Sequence, residues 1–240
     1  MEEKKCSMVR RGVHMLLSVL IAIAIIIIFL ISSFEIGAYS DYGFYEKEYE
    51  KYHVEEKVYM EMSDIIDVTK YMMSYLRGNE TELSFRTEVA GREMDFFNDQ
   101  DRLHMADVQN LFLRGLMLRR VAVVVLIVSV ILLILLKGDW KVLIPWIYQR
   151  TLAVFMAIIV GLGVLISQNF NKYFVIFHHI FFDNDLWIFD PAEDYMIRML
   201  PEEFFYDMVM RIGGIFVASL LGFLVITMIW RSTNKNKYYL

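Results

Sequence analysis

The sequence predicts an all-α membrane protein, a bundle of four transmembrane helices with an extracellular cap formed by the segments 35–118 and 169–207. Three observations lead to this fold class. The chain of 240 residues is 57% hydrophobic, which is high for a soluble domain. Its apolar residues are concentrated in four blocks, each close to the roughly 20 residues that a helix needs to cross a bilayer. The segments between the blocks carry most of the charge.

The four blocks place the transmembrane helices at about 14–34, 116–136, 151–168 and 210–230. The first block has a basic start, as a signal peptide does, but its apolar core is longer than the roughly 7–15 residues of such a signal. No small-residue cleavage site follows it. We therefore predict a retained anchor and a single integral membrane domain over residues 1–240. Its outer cap covers 35–115 and 169–207.

Basic residues set the predicted orientation of the chain. Lysines and arginines precede the first span, separate the second from the third, and follow the fourth. Four crossings bring these groups to one side, and the positive-inside rule makes that side cytoplasmic. Both termini are then cytoplasmic, and the opposite, acidic side is extracellular. No basic stripe faces water, so the pattern excludes nucleic acid as a partner and leaves membrane lipids.

Three arginines break this charge pattern at the outer ends of the second and fourth spans, namely Arg119, Arg120 and Arg211. The simplest interpretation is that their guanidinium groups reach lipid phosphates. The alternative is that they shape a lipid-facing site. Asp207 lies four residues before Arg211, so the two side chains are expected to share one helical face and to pair.

The outer segments also show local signals. Apolar spacing predicts a helix over 54–76 that ends before Gly78, and residues 82–89 fit a short β-segment. Helix starts are predicted at Asn98 or Asp99, at Pro191 and at Pro201. The helix that begins near Asn98 is expected to run directly into the second span.

Histidines and carboxylates supply the candidate chemistry. His104 and Asp107 are three residues apart in a predicted helix, where a carboxylate can fix the tautomer of a neighbouring imidazole and raise its basicity. His178 and His179 lie among aromatic residues in the second outer segment. In an extended segment adjacent side chains point to opposite faces, so only one of these two is expected to share a pocket with His104.

The sequence offers no nucleophile of its own. It has no Gly-x-Ser-x-Gly turn, and its single cysteine, Cys6, lies on the predicted cytoplasmic side. A lone cysteine also excludes an intramolecular disulfide and a cysteine-based metal site. Histidine and aspartate could ligate a metal, but their spacing matches no specific metal motif, so no metal is predicted. A histidine-based acyl transferase would therefore use an attacking group that belongs to its substrate.

Several short patterns occur together in this chain. They are the run Phe177-His178-His179-Ile180-Phe181-Phe182, then Trp187, Asp190-Pro191, Asp194, Pro201 and Phe204-Phe205, with His104-Met105-x-Asp107-Val108 and Tyr71-x3-Tyr75-Leu76-x-Gly78 upstream. In these patterns, in length and in its four spans, the chain resembles the lipoprotein intramolecular transacylase family, Lit, of Gram-positive bacteria.

The resemblance implies a plasma-membrane enzyme that acts on lipoproteins whose N-terminal cysteine carries a diacylglyceryl group. Such an enzyme moves the sn-2 acyl chain to the α-amino group of the cysteine, without a cofactor, and leaves an N-acyl lyso-lipoprotein. The family histidines match His104 and His178, so His179 is the variable position. Asp107 is then expected to orient His104, and Trp187 and Asp190 to shape the loop.

Two other function classes remain open from the sequence. The outer segments can form a binding or assembly module without activity, in which the aromatic residues anchor the protein at the lipid interface. A metal-dependent membrane hydrolase is the third class. If the protein is the enzyme, His104 and His178 are expected to approach each other in space. If it is a binding module, they are expected to lie apart.

Overall fold

The computed structural model describes residues 2–235, with side chains for residues 8–233. Over this part of the chain, four helices are long and apolar enough to cross a membrane. They span Met8–Tyr39, Asp99–Leu135, Trp140–Gln168 and Glu202–Thr233. The predicted all-α, four-span class is confirmed, and the protein is a multi-pass membrane protein.

The described residues form nine helices and one two-stranded sheet. In chain order these are α1 (Glu2–Tyr39), α2 (Gly43–Lys51), α3 (Val54–Val58), α4 (Met62–Leu76), β1 (Arg86–Val89), β2 (Arg92–Asp95), α5 (Asp99–Leu135), α6 (Trp140–Gln168), α7 (Phe170–Phe181), α8 (Tyr195–Met199) and α9 (Glu202–Lys235). The chain divides into two compact units. The membrane unit contains 2–34, 117–167 and 213–235, and the polar unit contains 35–116 and 168–212.

The membrane unit has an apolar core made by α1, α5, α6 and α9. Ile21, Leu133 and Leu220 are almost completely buried in this core. The one polar group of Tyr148 is satisfied there, because its hydroxyl donates to the carbonyl of Leu220 over 3.0 Å. Helix α6 begins at Trp140, before the predicted start of the third span, since Tyr148 and its apolar neighbours continue the buried face of the helix.

The polar unit has its own core of aromatic and aliphatic side chains from α2, α3, α4 and α9. Tyr49 is fully buried, stacks on Phe204 with ring centroids 5.9 Å apart, and bonds through its hydroxyl to Thr69 over 2.8 Å. Val54 and Ile65 are fully buried beside it. The predicted helix over 54–76 is interrupted. Tyr59 adopts a left-handed backbone with φ 58°, which ends α3 before α4 begins.

A β-hairpin follows α4. Gly78 has φ 78° just past the end of α4, the left-handed geometry that glycine adopts readily, as the sequence predicted. The predicted β-segment over 82–89 narrows to β1, which pairs in antiparallel register with β2. Ala90 and Gly91 join the strands with φ of 53° and 77°. Positive φ at both central residues is the geometry of a type I′ hairpin turn.

Two of the predicted helix starts are confirmed and one is wrong. The side chain of Asn98 accepts from the backbone N–H of Asp101 over 2.9 Å and so caps α5, while α9 begins directly after Pro201. Pro191 lies in a turn, and α8 begins at Tyr195. The reason is that the carboxylate of Asp190 accepts from the N–H of Ala192, which closes a local turn instead of starting a helix.

Candidate active site

Helix α7 positions His178. The side chain of Asn169 caps this helix by accepting from the N–H of Lys172 over 3.1 Å. The imidazole of His178 is buried, and its Nδ1 lies 2.7 Å from the carbonyl oxygen of Phe174, one turn earlier. A carbonyl oxygen only accepts, so Nδ1 carries the proton of the neutral ring. Nε2 is then left with a lone pair that can take up a proton.

Helix α5 positions His104 in the same unit, and the two imidazoles meet. Their ring centroids are 6.1 Å apart, with 30° between the ring planes. His104 is 7% exposed, and its Nδ1 has no hydrogen-bond partner within the described residues. The rings of Phe182 and Phe189 face it edge-on at 5.3 and 5.4 Å. The structure therefore brings together the two histidines that sequence reasoning had singled out.

The loop between α7 and α8 closes over this pair. Trp187 stacks on His178 with centroids 4.7 Å apart and 27° between the planes, and its indole N–H donates to the carbonyl of Asn184 over 3.0 Å. Gln100 of α5 donates to the carbonyls of Leu186 and Ile188 over 3.0 and 2.9 Å. Several polar contacts thus tie the loop that carries Trp187 to the helix that carries His104.

Asp107 takes part in the same attachment. Its carboxylate accepts from the side-chain amide of Asn184 over 2.9 Å. Among the described residues the Nδ1 of His104 has no hydrogen-bond partner, so no bond joins that nitrogen to Asp107. Asp107 therefore hydrogen-bonds to the loop and not to Nδ1 of His104, while its charge raises the pKa of that imidazole.

The other two supporting residues lie at the edge of the pair. His179 is exposed and meets the ring of Trp187 edge-on at 5.2 Å. Asp190 is exposed and closes the turn before α8. Both of these contacts are with residues of the loop between α7 and α8.

Burial sets the protonation state of both rings. It lowers the pKa of His104 to about 4, with the neighbouring His178 adding to the effect and the charge of Asp107 opposing it. His104 lies in residues 99–116 of α5, which belong to the polar unit, before the predicted second span at 116–136. Burial also lowers the pKa of His178, against the hydrogen bond to Phe174. Both imidazoles are therefore neutral at pH 7, the form that accepts a proton.

Metal ligation is a separate question for these histidines. Within residues 8–233, no group of three or more histidine, cysteine, aspartate or glutamate side chains is close enough together to hold a metal ion. Asp183 and Asp185 are the carboxylates that follow His178 and His179 in the chain, and both are exposed.

The arginines singled out from the sequence have different surroundings. Arg211 lies over the ring of Phe44 at 4.2 Å and 3.5 Å from the carboxylate of Asp41. The expected pairing of Arg211 with Asp207 is wrong, because Lys51 and Tyr52, at the end of α2, bind Asp207 instead. Arg119 and Arg120 belong to the membrane unit, where Arg119 is half-buried and Arg120 is exposed.

Several residues of the site were missed from the sequence. Phe189, Gln100 and Asn184 had no spacing signal, because each contacts a residue at least 70 positions away in the chain. A buried pair of carboxylates, Asp101 and Asp194, was also missed. The only signal for Asp194 was its place in the pattern after Asp190-Pro191.

The family model of the lipoprotein intramolecular transacylase Lit matches residues 19–205. An uncharacterized protein of Aquifex aeolicus (strain VF5) is 30% identical over 210 residues, which is 85% of this chain and 89% of that protein.

Solved structures of the membrane integral lipoprotein intramolecular transacylase Lit from Bacillus cereus have the same fold. One is 20% identical with a TM-score of 0.73, covering 95% of this chain and 98% of that one. A variant with one histidine replaced by arginine is 18% identical with a TM-score of 0.75, covering 98% and 99% of the two chains. The family model covers well over half of the sequence, and on that ground this chain belongs to the lipoprotein intramolecular transacylase family, Lit.

Proposed function

We propose that this protein is an acyltransferase that rearranges bacterial lipoproteins. It moves the sn-2 acyl chain of the diacylglyceryl-cysteine to the α-amino group of the same cysteine and leaves an N-acyl lyso-lipoprotein. The observation that carries the proposal is the buried, neutral pair of His104 and His178, 6.1 Å apart between aromatic rings. Membership of a family named for this class of reaction supports it.

The substrate brings both reacting groups. An α-amine has a pKa of about 7.7–8.0, so roughly a tenth of it is already neutral and nucleophilic at pH 7, and little more is needed to free the rest. Its ester partner is attached to the same cysteine. Holding the two in reacting geometry can supply about 7–11 kcal/mol of the barrier. A site for this reaction needs groups that move one proton and walls that hold the substrate, and it needs no nucleophile of its own.

The two histidines have different roles in the proposed reaction. His178 is the general base, because its Nδ1 is occupied by the carbonyl of Phe174 and its free Nε2 can accept the amine proton. His104 donates a hydrogen bond to the ester carbonyl oxygen as negative charge develops there. Its low pKa keeps it a neutral donor.

The bonds and protons balance without a co-reactant. The amine nitrogen forms a C–N bond to the ester carbonyl carbon, and His178 removes one proton from that nitrogen. The tetrahedral intermediate then breaks its bond to the sn-2 glycerol oxygen, which receives the proton from His178. The products are an amide and a free hydroxyl on the same lipoprotein, and neither an outside acyl donor nor a cofactor takes part.

The aromatic residues around the pair hold the substrate and exclude water. Phe182 and Phe189 border His104, and Trp187 covers His178. Water in this space would compete with the amine for the ester and release a fatty acid. Asp107, His179 and Asp190 support the loop that closes the site, through their contacts with Asn184, Trp187 and Ala192.

The proposed reaction takes place at the extracellular face of the bacterial plasma membrane, with both termini in the cytoplasm. The distribution of lysine and arginine between the four spans supports this orientation. Arg119, Arg120 and Arg211 then bind lipid phosphates near the outer ends of the spans. The short distance between His104 and His178 favours an enzyme over a binding module, which had predicted that the two residues lie apart.

Mass spectrometry of a lipoprotein N-terminus tests the proposal. The wild-type protein, expressed in a host that makes only diacylated lipoproteins, is expected to yield N-acyl lyso-lipopeptide. His104→Ala and His178→Ala are expected to leave the diacylated form. His53→Asn is the matched control, since His53 is exposed and asparagine tolerates its left-handed backbone, φ 52°. Full transfer by either alanine variant would exclude that histidine, and no transfer by the wild type would refute the function.

A further inference from the structure

A pair of buried carboxylates lies beside the site and has no part in the reaction described above. Asp101 is in the first turn of α5, three residues before His104, and Asp194 is the residue that caps α8. Their exposed fractions are 0% and 4%. Burying a carboxylate is costly unless it is neutralised or fully hydrogen-bonded, so this pair requires an explanation.

The hydrogen bonds around the pair are asymmetric. Both oxygens of Asp194 accept, Oδ1 from the N–H of Ile197 over 2.9 Å and Oδ2 from the side-chain amide of Asn98 over 2.8 Å. Asp101 accepts through Oδ2 from the N–H of Asn98 over 2.9 Å. Its other oxygen, Oδ1, is buried and receives no donor within the described residues. The acceptors of Asp194 are thus in use, whereas Oδ1 of Asp101 is the position that can carry a proton.

Electrostatics point to the same residue. Two adjacent carboxylates in a buried site do not both ionise, and one of them keeps its proton. Burial raises the pKa of Asp101 to about 8, with the charge of Asp194 as the next cause. The nearby cations are occupied elsewhere. Arg102 binds Asp95 and Asp99, and Arg198 donates to the carbonyls of Pro191 and Ala192.

We infer that Asp101 is a protonated acid that donates a hydrogen bond to the Asp194 carboxylate, and that this bond positions the loop of Trp187 and Phe189 against the helix of His104. The second half of this inference rests on the proposed function. Asn98 joins the two sides, because it caps α5 and also donates to Asp194. Asp101 and Asp194 are positioning residues in this arrangement, since neither contacts His104 or His178 by a hydrogen bond.

Amide substitutions distinguish the two carboxylates. Asp101→Asn keeps an oxygen for the N–H of Asn98 and supplies an N–H to Asp194, so the transfer rate is expected to stay within about twofold of the wild type. Asp194→Asn replaces an acceptor by a donor, which then faces either the amide of Asn98 or the N–H of Ile197. We expect a loss of at least about tenfold in rate. Asp99→Asn is the control, because the Asp99 side chain is 95% exposed on the same turn.

A stability measurement tests, independently of catalysis, whether Asp101 is protonated in the folded protein. Between about pH 4 and pH 8 the unfolded chain releases the proton of Asp101 and the folded chain keeps it. The wild type therefore loses stability as pH rises from 4 to 8. Its folding equilibrium constant changes by up to about tenfold per pH unit in this range, and it changes no further above pH 8. Asp101→Asn has no such proton. The Tm of the purified wild type, measured in detergent, is expected to fall relative to that of Asp101→Asn from pH 5 to pH 8.

Three outcomes would overturn the inference. They are parallel Tm curves for the wild type and Asp101→Asn, an Asp101→Asn variant that fails to fold while Asp99→Asn folds, and a tolerated Asp194→Asn beside an impaired Asp101→Asn. If the wild type shows no transacylation but the Tm curves diverge as expected, the proton on Asp101 is confirmed and the proposed function is refuted.

Discussion

The two histidines of the site come from segments that are built differently. His178 lies on the short helix α7, and a carbonyl of its own helix fixes its ring. His104 lies on the long helix α5, and its ring is held by packing against Phe182, Phe189 and His178, with Nδ1 unpaired within the described residues. The backbone thus determines the tautomer of one ring, whereas within the described residues no hydrogen bond to Nδ1 determines that of the other. This difference is the basis for giving the two residues different roles.

The largest expected effect comes from substituting the two histidines themselves, which tests whether their roles differ. His178→Gln removes the acceptor nitrogen and puts an amide in its place, so we expect the transfer rate to fall by about 10²–10⁴-fold. His104→Gln keeps an N–H that can donate to the oxyanion, and we expect a loss of only about tenfold. Single-turnover rates of acyl transfer on a purified lipoprotein measure both. Equal losses, or a larger loss at residue 104, would contradict the assigned roles.

The second prediction concerns stability. The pKa of His104 lies at about 4 in the folded protein and at about 6.5 in the unfolded chain. The unfolded chain therefore binds a proton first, so the stability from a neutral His104 is present above pH 6.5. It is lost as pH falls towards 4, by about 3 kcal/mol in total. The Tm of His104→Gln, followed from pH 7 to pH 4.5, is expected to fall less than that of the wild type. A matching decline in both proteins would contradict the lowered pKa, because His104 would then take up its proton equally in the folded and unfolded chain.

Asp101 changes the stability in the opposite direction over an overlapping pH range, because its pKa in the folded protein is raised and not lowered. The two terms partly cancel in the wild type between pH 4 and pH 6.5. Measuring Asp101→Asn and His104→Gln side by side therefore separates them, since each variant reveals the pH dependence of the group that remains.

The smallest expected effect comes from the ring that covers His178. Trp187→Leu removes a stack at 4.7 Å that is worth about 0.5–1.5 kcal/mol, so we expect the transfer rate to fall by no more than about tenfold. Trp187→Phe keeps an aromatic face and is expected to lose about half of that free energy or less. The readout is the same single-turnover rate. A Trp187→Leu variant with wild-type activity would show that His178 needs only the bond to Phe174.

Local chemistry in the sequence predicted much of this molecule. Asparagine is a favoured N-cap residue, and glycine adopts left-handed geometry without strain. The start of α5 at Asn98 and the end of α4 before Gly78 were therefore found without knowledge of the fold. The four spans were found because bilayer thickness fixes their length. His104 was found by its spacing to Asp107, His178 by its place among aromatic residues between two apolar blocks, and both by the short patterns that resemble the family.

What sequence reasoning missed depends on partners that are distant in the chain. Asp107 was expected to orient His104 because the two are one turn apart, yet its carboxylate hydrogen-bonds to the side chain of Asn184 in the loop. Asp207 was assigned to Arg211 for the same reason, and Lys51 and Tyr52 bind it instead. Helical spacing shows which residues are neighbours on a helix face. It does not show which other segment supplies a stronger partner.

The hydrogen bond from His178 to the carbonyl of Phe174 also bears on the timing of repeated turnovers. A ring held in this way cannot turn over without breaking a bond of 2.7 Å. In the proposed cycle Nε2 takes a proton from the amine and returns the same proton to the glycerol oxygen. The enzyme therefore ends each cycle in the state in which it began, with no wait for solvent to reset it. In the proposed reaction the site between these aromatic rings is therefore ready again as soon as the product leaves.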